Sequence, residues 1–397
     1  MEVPFFDLKR QYEVLSSKID MAIRDVLKSG WFIAGPHVKK FEEMFALYCN
    51  TRFAIGVSSG TTAVYLALKA LEIGEGDEVI TADTTFIATA EAISLTGARP
   101  IFVDIDEASY NIAPDSIRSY VEKNCRWSGK RKSYIDTRTK KRLKAILPVH
   151  LFGQMADMKS IMEIADKFGL YVIEDAAQAH GALYKVGDEF KKAGSFANVS
   201  AFSFYPSKNL GAYGNGGAVV TDDAGFSEKV RMLINHGQIK KYYHNLLGWN
   251  SKMNGFQGAI LSVKLKFLDD WNEKRQQNAK LYNELFKEVD DVVIPAEMEY
   301  ARHIYHLYVI RTKDRDELQK YLKNQGIGTG IHYPIPLHLQ EAYKHLGYKN
   351  GDFPVAERVS KEIVSLPMFP ELKREEIFYV AEKVKEFVGE RARMKGE

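Results

Sequence analysis

The sequence predicts an α/β protein with a mostly parallel seven-stranded sheet flanked by helices, joined to a smaller C-terminal α+β domain. Three observations predict it. Between residues 53 and 223, short apolar runs alternate with segments of helical period; after residue 225 the rhythm changes to long helical stretches; and 397 residues are more than one hydrophobic core fills. The expected division is 1–245 for a large domain with its N-terminal segment and 246–397 for the smaller one.

The strand cores expected in the large domain are 53–57, 78–81, 100–103, 145–149, 171–174, 199–204 and 218–221, each a short apolar run bounded by turn-forming residues. Helices lie between them, as over 62–71 and 158–168, where apolar residues recur every three or four positions. In the smaller domain the pattern predicts helix over 255–286, a strand over 303–311 and helices over 315–324, 355–364 and 375–388. Pro367 and Pro370 close the run after 364.

Composition narrows the class. Hydrophobic residues make up 45% and charged residues 27%, which suits a globular chain with a sizeable core. Cys49 and Cys125 stand far apart without a CxxC or a Cys/His cluster, so neither a disulfide framework nor a metal site is expected, and a reducing cytoplasm is. No run of eighteen apolar residues suggests a membrane span. A net charge of +3 gives no argument for nucleic acid. The charge is uneven, however: residues 123–144 hold ten Lys or Arg against one acid, Asp136. Such a run reads as a solvated surface insertion, or else as a rim for an anionic ligand.

The segment Ser203-Phe-Tyr-Pro-Ser-Lys208-Asn-Leu-Gly-Ala-Tyr-Gly-Asn-Gly-Gly217 follows an expected strand and places one lysine before four glycines. Glycines admit a bulky planar ligand close to the backbone, and a Schiff base needs a primary amine. Alone, the same lysine reads equally as a phosphate contact. Upstream, Tyr171-Val-Ile-Glu-Asp175-Ala-Ala-Gln178-Ala-His180 puts an acid at a strand end, where α/β proteins build their sites. A carboxylate there would hold a pyridine nitrogen protonated, or merely cap the next helix. His180 reads as structural as readily as functional. Ser58-Ser-Gly60-Thr61-Thr62 joins strand to helix, the geometry of a phosphate seat, and Phe86 in Thr84-Thr85-Phe86 could lie flat on a heterocycle. Phosphate seat, aromatic plate, carboxylate and amine follow one another at strand-to-helix junctions.

This set resembles the fold-type I pyridoxal-phosphate (PLP) enzymes, and among them the DegT/DnrJ/EryC1/StrS sugar aminotransferase family. The likeness runs from Pro4-Phe-Phe-Asp-Leu through Gly30-Trp-Phe-Ile-Ala-Gly-Pro36, Ser59-Gly-Thr-Thr-Ala63, Glu174-Asp-Ala-Ala-Gln178 and Tyr205-Pro-Ser-Lys-Asn-Leu-Gly211 to His332-Tyr-Pro334. It implies that Lys208 holds PLP and shuttles the proton, that Asp175 pairs with the pyridine nitrogen, and that Gln178 contacts the ring. It further implies that Gly60, Thr61 and Ser203 bind the phosphate and that Phe86 stacks on the ring. Gly248-Trp-Asn250-Ser-Lys-Met resembles a family segment that reaches the neighbouring subunit's phosphate, so Asn250 implies a homodimer with shared sites. Trp31, Phe32, His332 and Tyr333 are the expected sugar contacts.

The activity implied is ping-pong transfer of an amine from an amino acid, L-glutamate, to carbon 3 of a nucleotide-linked keto sugar, with a dTDP-3-keto-6-deoxyhexose as the expected acceptor. Val149 to Asp157, His236-Gly-Gln238 and His332 to Gln340 carry that preference and are similar also to enzymes of UDP-linked 3-keto sugar acids. Amination at carbon 4 and a non-catalytic PLP-binding regulatory protein are the other readings. Relatives that remove a hydroxyl carry histidine at the lysine position, which Lys208 argues against. A nucleotide-dependent oxidoreductase lacks its GxGxxG here.

Overall fold

The computed structural model describes residues 1–396. All seven expected strand cores form one sheet, in the order Phe53–Val57, Gly217–Thr221, Val199–Ser203, Tyr171–Asp175, Arg142–Leu147, Asp77–Ala82 and Arg99–Val103. Gly217–Thr221 is antiparallel to both its neighbours, whereas the remaining pairs are parallel. The other six strands therefore run the same way and end on one edge, which is where the site is built.

Strand residues alternate between two cores. Ile80, Ile146, Val172, Phe202 and Val220 point to one layer, and Val79, Ala145, Leu147, Ile173, Ala201 and Val219 to the other. Helices Gly60–Ala70 and Ala224–Leu233 cover the second layer, and Pro36–Cys49 and Met158–Phe168 the first. Burial on both faces explains why these strands read as continuous apolar runs.

The basic segment is an ordered surface insertion. It folds as a hairpin, Cys125–Ser128 with Ser133–Asp136, joined to the sheet at Ile135↔Arg142, so the sheet has nine strands. The run's one acid is its anchor. Asp136 is buried and accepts from the Tyr120 hydroxyl, from the Arg138 guanidinium and from the Arg138 and Thr139 amides. Lys130, Arg131 and Lys132 stay exposed at the tip.

In the C-terminal part, Arg315–Asn324 forms as expected, and the last expected helix is longer, Arg374–Gly396. The expected helix over 255–286 is interrupted by a tighter turn, Leu265–Phe267. Strand covers only Tyr308–Arg311 of the expected 303–311, and helix Pro354–Glu362 stops short of 364. Its last expected residues belong instead to strand Ile363–Leu366, antiparallel to Tyr308–Arg311. Ile363-Val364-Ser-Leu is a short apolar run, and over four residues helix and strand periods cannot be told apart. Packing crosses residue 245. Val3 bridges to Ile327, Arg10 pairs with Glu376 at 2.7 Å, and helix Gly255–Lys264 packs on Leu8–Ser29 and Pro36–Cys49. Among the described residues no helix is long and apolar enough to cross a membrane.

Candidate active site

At the shared strand edge lies a cavity of about 520 Å³. Nine of the residues singled out in the sequence line it: Gly60, Thr61, Phe86, Asp175, Gln178, Ser203, Lys208, His332 and Tyr333. Trp31, Phe32 and Asn250 do not. They lie exposed on the outside, with Phe32 stacked on Phe256 and Asn250 bridged to Asn235.

Lys208 sits in the connection between two antiparallel strands, where its amide donates to the Tyr205 carbonyl at 2.8 Å. That turn is tight: a Cβ on Gly211 would stand 2.2 Å from the Pro206 carbonyl oxygen, so only glycine lets the chain fold back here. Burial pushes the Lys208 amine down to about 8, and the attraction of Asp175 works against it. At that value roughly a tenth of the amine is neutral at pH 7, against about one part in 3,000 for a free lysine, which lets it serve as a nucleophile and a proton acceptor.

Asp175 ends its strand with its side chain in the cavity. Oδ2 accepts from Thr89 Oγ1 at 2.8 Å and Oδ1 from the Ala177 amide at 3.1 Å. Burial nevertheless raises its carboxyl above the usual range, against the pull of Thr89, Ala177 and Lys208, so a buried cation at this point would be welcome. The neighbouring acid faces the other way. Glu174, fully buried, accepts from the Gly194, Phe196 and Ala197 amides and from Ser200 Oγ, and lies 2.9 Å from His150 Nε2.

The start of helix Gly60–Ala70 also borders the cavity. Ser59 caps it by accepting from the Thr62 amide, and the Ala63 amide returns to the Ser59 carbonyl. The Gly60 and Thr61 amides face no acceptor among the described residues, as expected of a first helical turn. A Cβ at Gly60 would stand 2.4 Å from Ser203 Cβ. The seat is therefore open to an anion only because residue 60 is glycine. Open amide donors, a carboxylate whose buried charge wants a cation and a low-pKa amine, all lining one cavity of about 520 Å³, fit PLP in size and in charge.

Gln178 Nε2 donates to the Tyr333 hydroxyl at 3.1 Å, and the Tyr333 and Phe86 rings lie 5.7 Å apart. His332 stacks on Phe5, lies 2.8 Å from Ser365 Oγ through Nδ1, and is pushed down to about 4 by burial and then by Lys208. His180, behind the cavity against Phe202 and Phe204, is pushed down to about 3 by the same two causes. Phe5, Thr89, Asn215, Arg275 and His306, to which the sequence reading assigned no role, also line the cavity. His306 had a faint signal, as a polar residue inside an apolar run that proves to be buried, whereas Arg275, also buried, stands among Glu273, Lys274, Gln276 and Gln277 and had none.

Comparison with known proteins agrees with this geometry. A profile described as the DegT/DnrJ/EryC1/StrS aminotransferase family matches residues 14–385. The chain belongs to that family. The aminotransferase is 46% identical over 389 residues to a protein of Geobacillus stearothermophilus called pleiotropic regulatory protein, covering 98% of this chain and 99% of the relative. It is 41% identical over 385 residues to dTDP-3-amino-3,4,6-trideoxy-alpha-D-glucose transaminase of Streptomyces venezuelae, covering 97% and 96%. Its fold is similar to that of S. venezuelae DesV in complex with a ketimine intermediate, with a TM-score of 0.90, 40% identity and 98% of each chain covered.

Proposed function

We propose that this aminotransferase uses PLP to move an amine from an amino acid, L-glutamate, to the carbon 3 ketone of a nucleotide-linked keto sugar, a dTDP-3-keto-6-deoxyhexose. The observation that carries the reading is Lys208 and Asp175 in one cavity with an open anion seat at Gly60 and Thr61. The transaminase of S. venezuelae, at 41% identity over nearly the whole chain, supports the sugar class. Bound there, the cofactor supplies an aldehyde that exchanges amines and a ring that accepts electrons.

The chain's own residues do the rest. The Gly60 and Thr61 amides and the Ser203 hydroxyl hold the phosphate. Asp175, kept in place by Thr89 and the Ala177 amide, keeps the pyridine nitrogen protonated. Phe86 covers one face of the ring and Gln178 contacts it from the other side. Lys208 moves a proton between the donor's Cα and the cofactor's C4′. His332 and Tyr333 border the space left for the sugar. Asn250, outside the cavity of its own chain, serves the partner subunit's phosphate in a homodimer, with Trp31 and Phe32 on the same outer face.

Borohydride treatment of the yellow holoenzyme should fix the cofactor on the peptide bearing Lys208, and Lys208→Ala should abolish amine transfer. A panel of nucleotide-linked 3-keto and 4-keto sugars, offered with glutamate and read by product mass and by the position of the new amine, tests the substrate. Amination only at carbon 4, or only of a UDP-linked sugar acid, would replace the acceptor and keep the chemistry. Cofactor binding with no amine transfer from any amino acid would favour a regulatory protein, the sense carried by the G. stearothermophilus relative's name.

A further inference from the structure

Arg275 lies in helix Leu268–Phe286, is 5% exposed and forms part of the cavity wall. Its Nη1 is fully committed, donating to the carbonyl oxygens of Tyr305, His306 and Met368 at 3.2, 3.2 and 2.8 Å. The other edge of the guanidinium is not: Nε is buried without a partner, and Nη2 meets no acceptor among the described residues. Nε is closed to any water-sized atom, so Nη2 is the nitrogen that a cavity ligand can reach, and its N–H groups suit a carboxylate.

The balance of charge around the cavity points the same way. Among the described residues lining it, Asp175 is the one acid, against Lys208 and Arg275. Under the proposed function Asp175 is committed to the cofactor's ring nitrogen, and the cofactor's phosphate to the Gly60 end. Glu371 is the acid that acts on Arg275 from outside the cavity; burial raises its own carboxyl, and it is shared with Lys274 and Lys264. A nine-tenths-buried guanidinium with half its donors unmet is costly unless a ligand brings the missing charge.

Resting on the proposed function, we infer that Nη2 of Arg275 is the receptor for a substrate carboxylate. Two partners of the reaction could bring that group: the amino donor, or a sugar acid as acceptor. The chemistry is the same, and the experiment separates them.

PLP-loaded wild type and Arg275→Lys, which keeps a cation beside the three carbonyls but lacks Nη2, are compared in three measurements. The first is the calorimetric affinity of glutarate, a dicarboxylate that cannot react. The second is the half-reaction with L-glutamate, its 1-amide, its 5-amide and a carboxylate-free amine. The third is the KM for keto sugars with and without a carboxylate. Arg275→Gln, with far-UV dichroism as a folding check, extends the series if it folds.

The expected result is tenfold or more weaker glutarate binding in Arg275→Lys, together with a tenfold or greater rise in KM for carboxylate-bearing partners, and an unchanged cofactor spectrum. Loss of selectivity between L-glutamate and one of its amides assigns the group to the donor. A rise confined to the sugar acid assigns it to the acceptor. A purely structural Arg275 would lower all partners alike or none, and unchanged glutarate affinity with unchanged selectivity overturns the inference. Absence of any half-reaction in wild type would sink the proposed function, while the glutarate comparison would still read the arginine on its own.

Discussion

Glu174 and Asp175 are chemically similar neighbours that the alternation of a β-strand turns to opposite sides. Glu174 meets four neutral donors and His150, which outweigh burial and hold it below the usual carboxylate range. Its stabilisation is therefore complete above its ordinary value of 4.5 and is lost only as pH falls below it. Glu174→Gln should lower the unfolding free energy by about 3 kcal/mol at neutral pH, read by urea melts, because buried amides lose their acceptor. Asp175→Asn should do the reverse: equal or greater stability, since burial already disfavours this charge, with transamination down at least about 100-fold. Asn instead of Asp costing as much stability as Gln instead of Glu would contradict the division of labour. Lys208 adds a pH signature. Its proton is held with a value of about 8, so the rate at which apoenzyme takes up PLP should climb with pH, reach half its maximum near 8 and level off well above it. The unfolded chain binds the extra proton between about 8 and 10.5, so apoenzyme stability should rise with pH across that window. In Asp175→Asn, which removes the attraction opposing burial, the uptake midpoint should move to lower pH.

The elements that carry these side chains were legible where a local rule governs them. The sheet strands, the strand-to-helix junction at residues 58–62 and the glycine-rich turn at Lys208 follow from apolar runs and turn chemistry, and each stands where the sequence puts it. What escaped depends on contacts between distant segments. Nothing local announces that Ile363–Leu366 will pair with Tyr308–Arg311, that the basic run will close into a hairpin on a buried Asp136, or that Phe5 will stack on His332. Arg275 belongs with these, since its three carbonyl acceptors lie 30 to 93 residues away in sequence. The first turn of helix Gly60–Ala70 supplies a prediction at this scale. Gly60→Ala forces a Cβ against Ser203 and should weaken PLP affinity at least about tenfold, measured by fluorescence titration, at a stability cost of about 1–3 kcal/mol. Gly129→Ala at the hairpin tip, where an added Cβ meets nothing within 4 Å, should change neither.

For the whole molecule, the unexplained surface is the one that bears Asn250. Phe32, Ile33 and Ala34 pair along Met253–Gly255, just after the exposed Trp31, and in the segment leading to Asn250 the residues Tyr242, Tyr243 and Leu247 are 77%, 65% and 92% exposed. A lone soluble chain rarely leaves so many large apolar groups together in water, and a second copy of the chain is the occupant proposed above. If Asn250 acts in the partner's site, each active site in the dimer needs Lys208 from one subunit and Asn250 from the other. Lys208→Ala and Asn250→Asp should then each be nearly inactive, the second because a carboxylate replaces the amide facing the phosphate. Unfolded together, refolded and mixed in equal amounts, the two variants should regain about a quarter of wild-type activity, because half the dimers are mixed and each has one intact site. If Asn250 served its own chain, both sites of every mixed dimer would carry one lesion and nothing would return. A protein that remains monomeric by light scattering at assay concentration would refute shared sites before any mixing, and would leave the exposed aromatic face to some other partner.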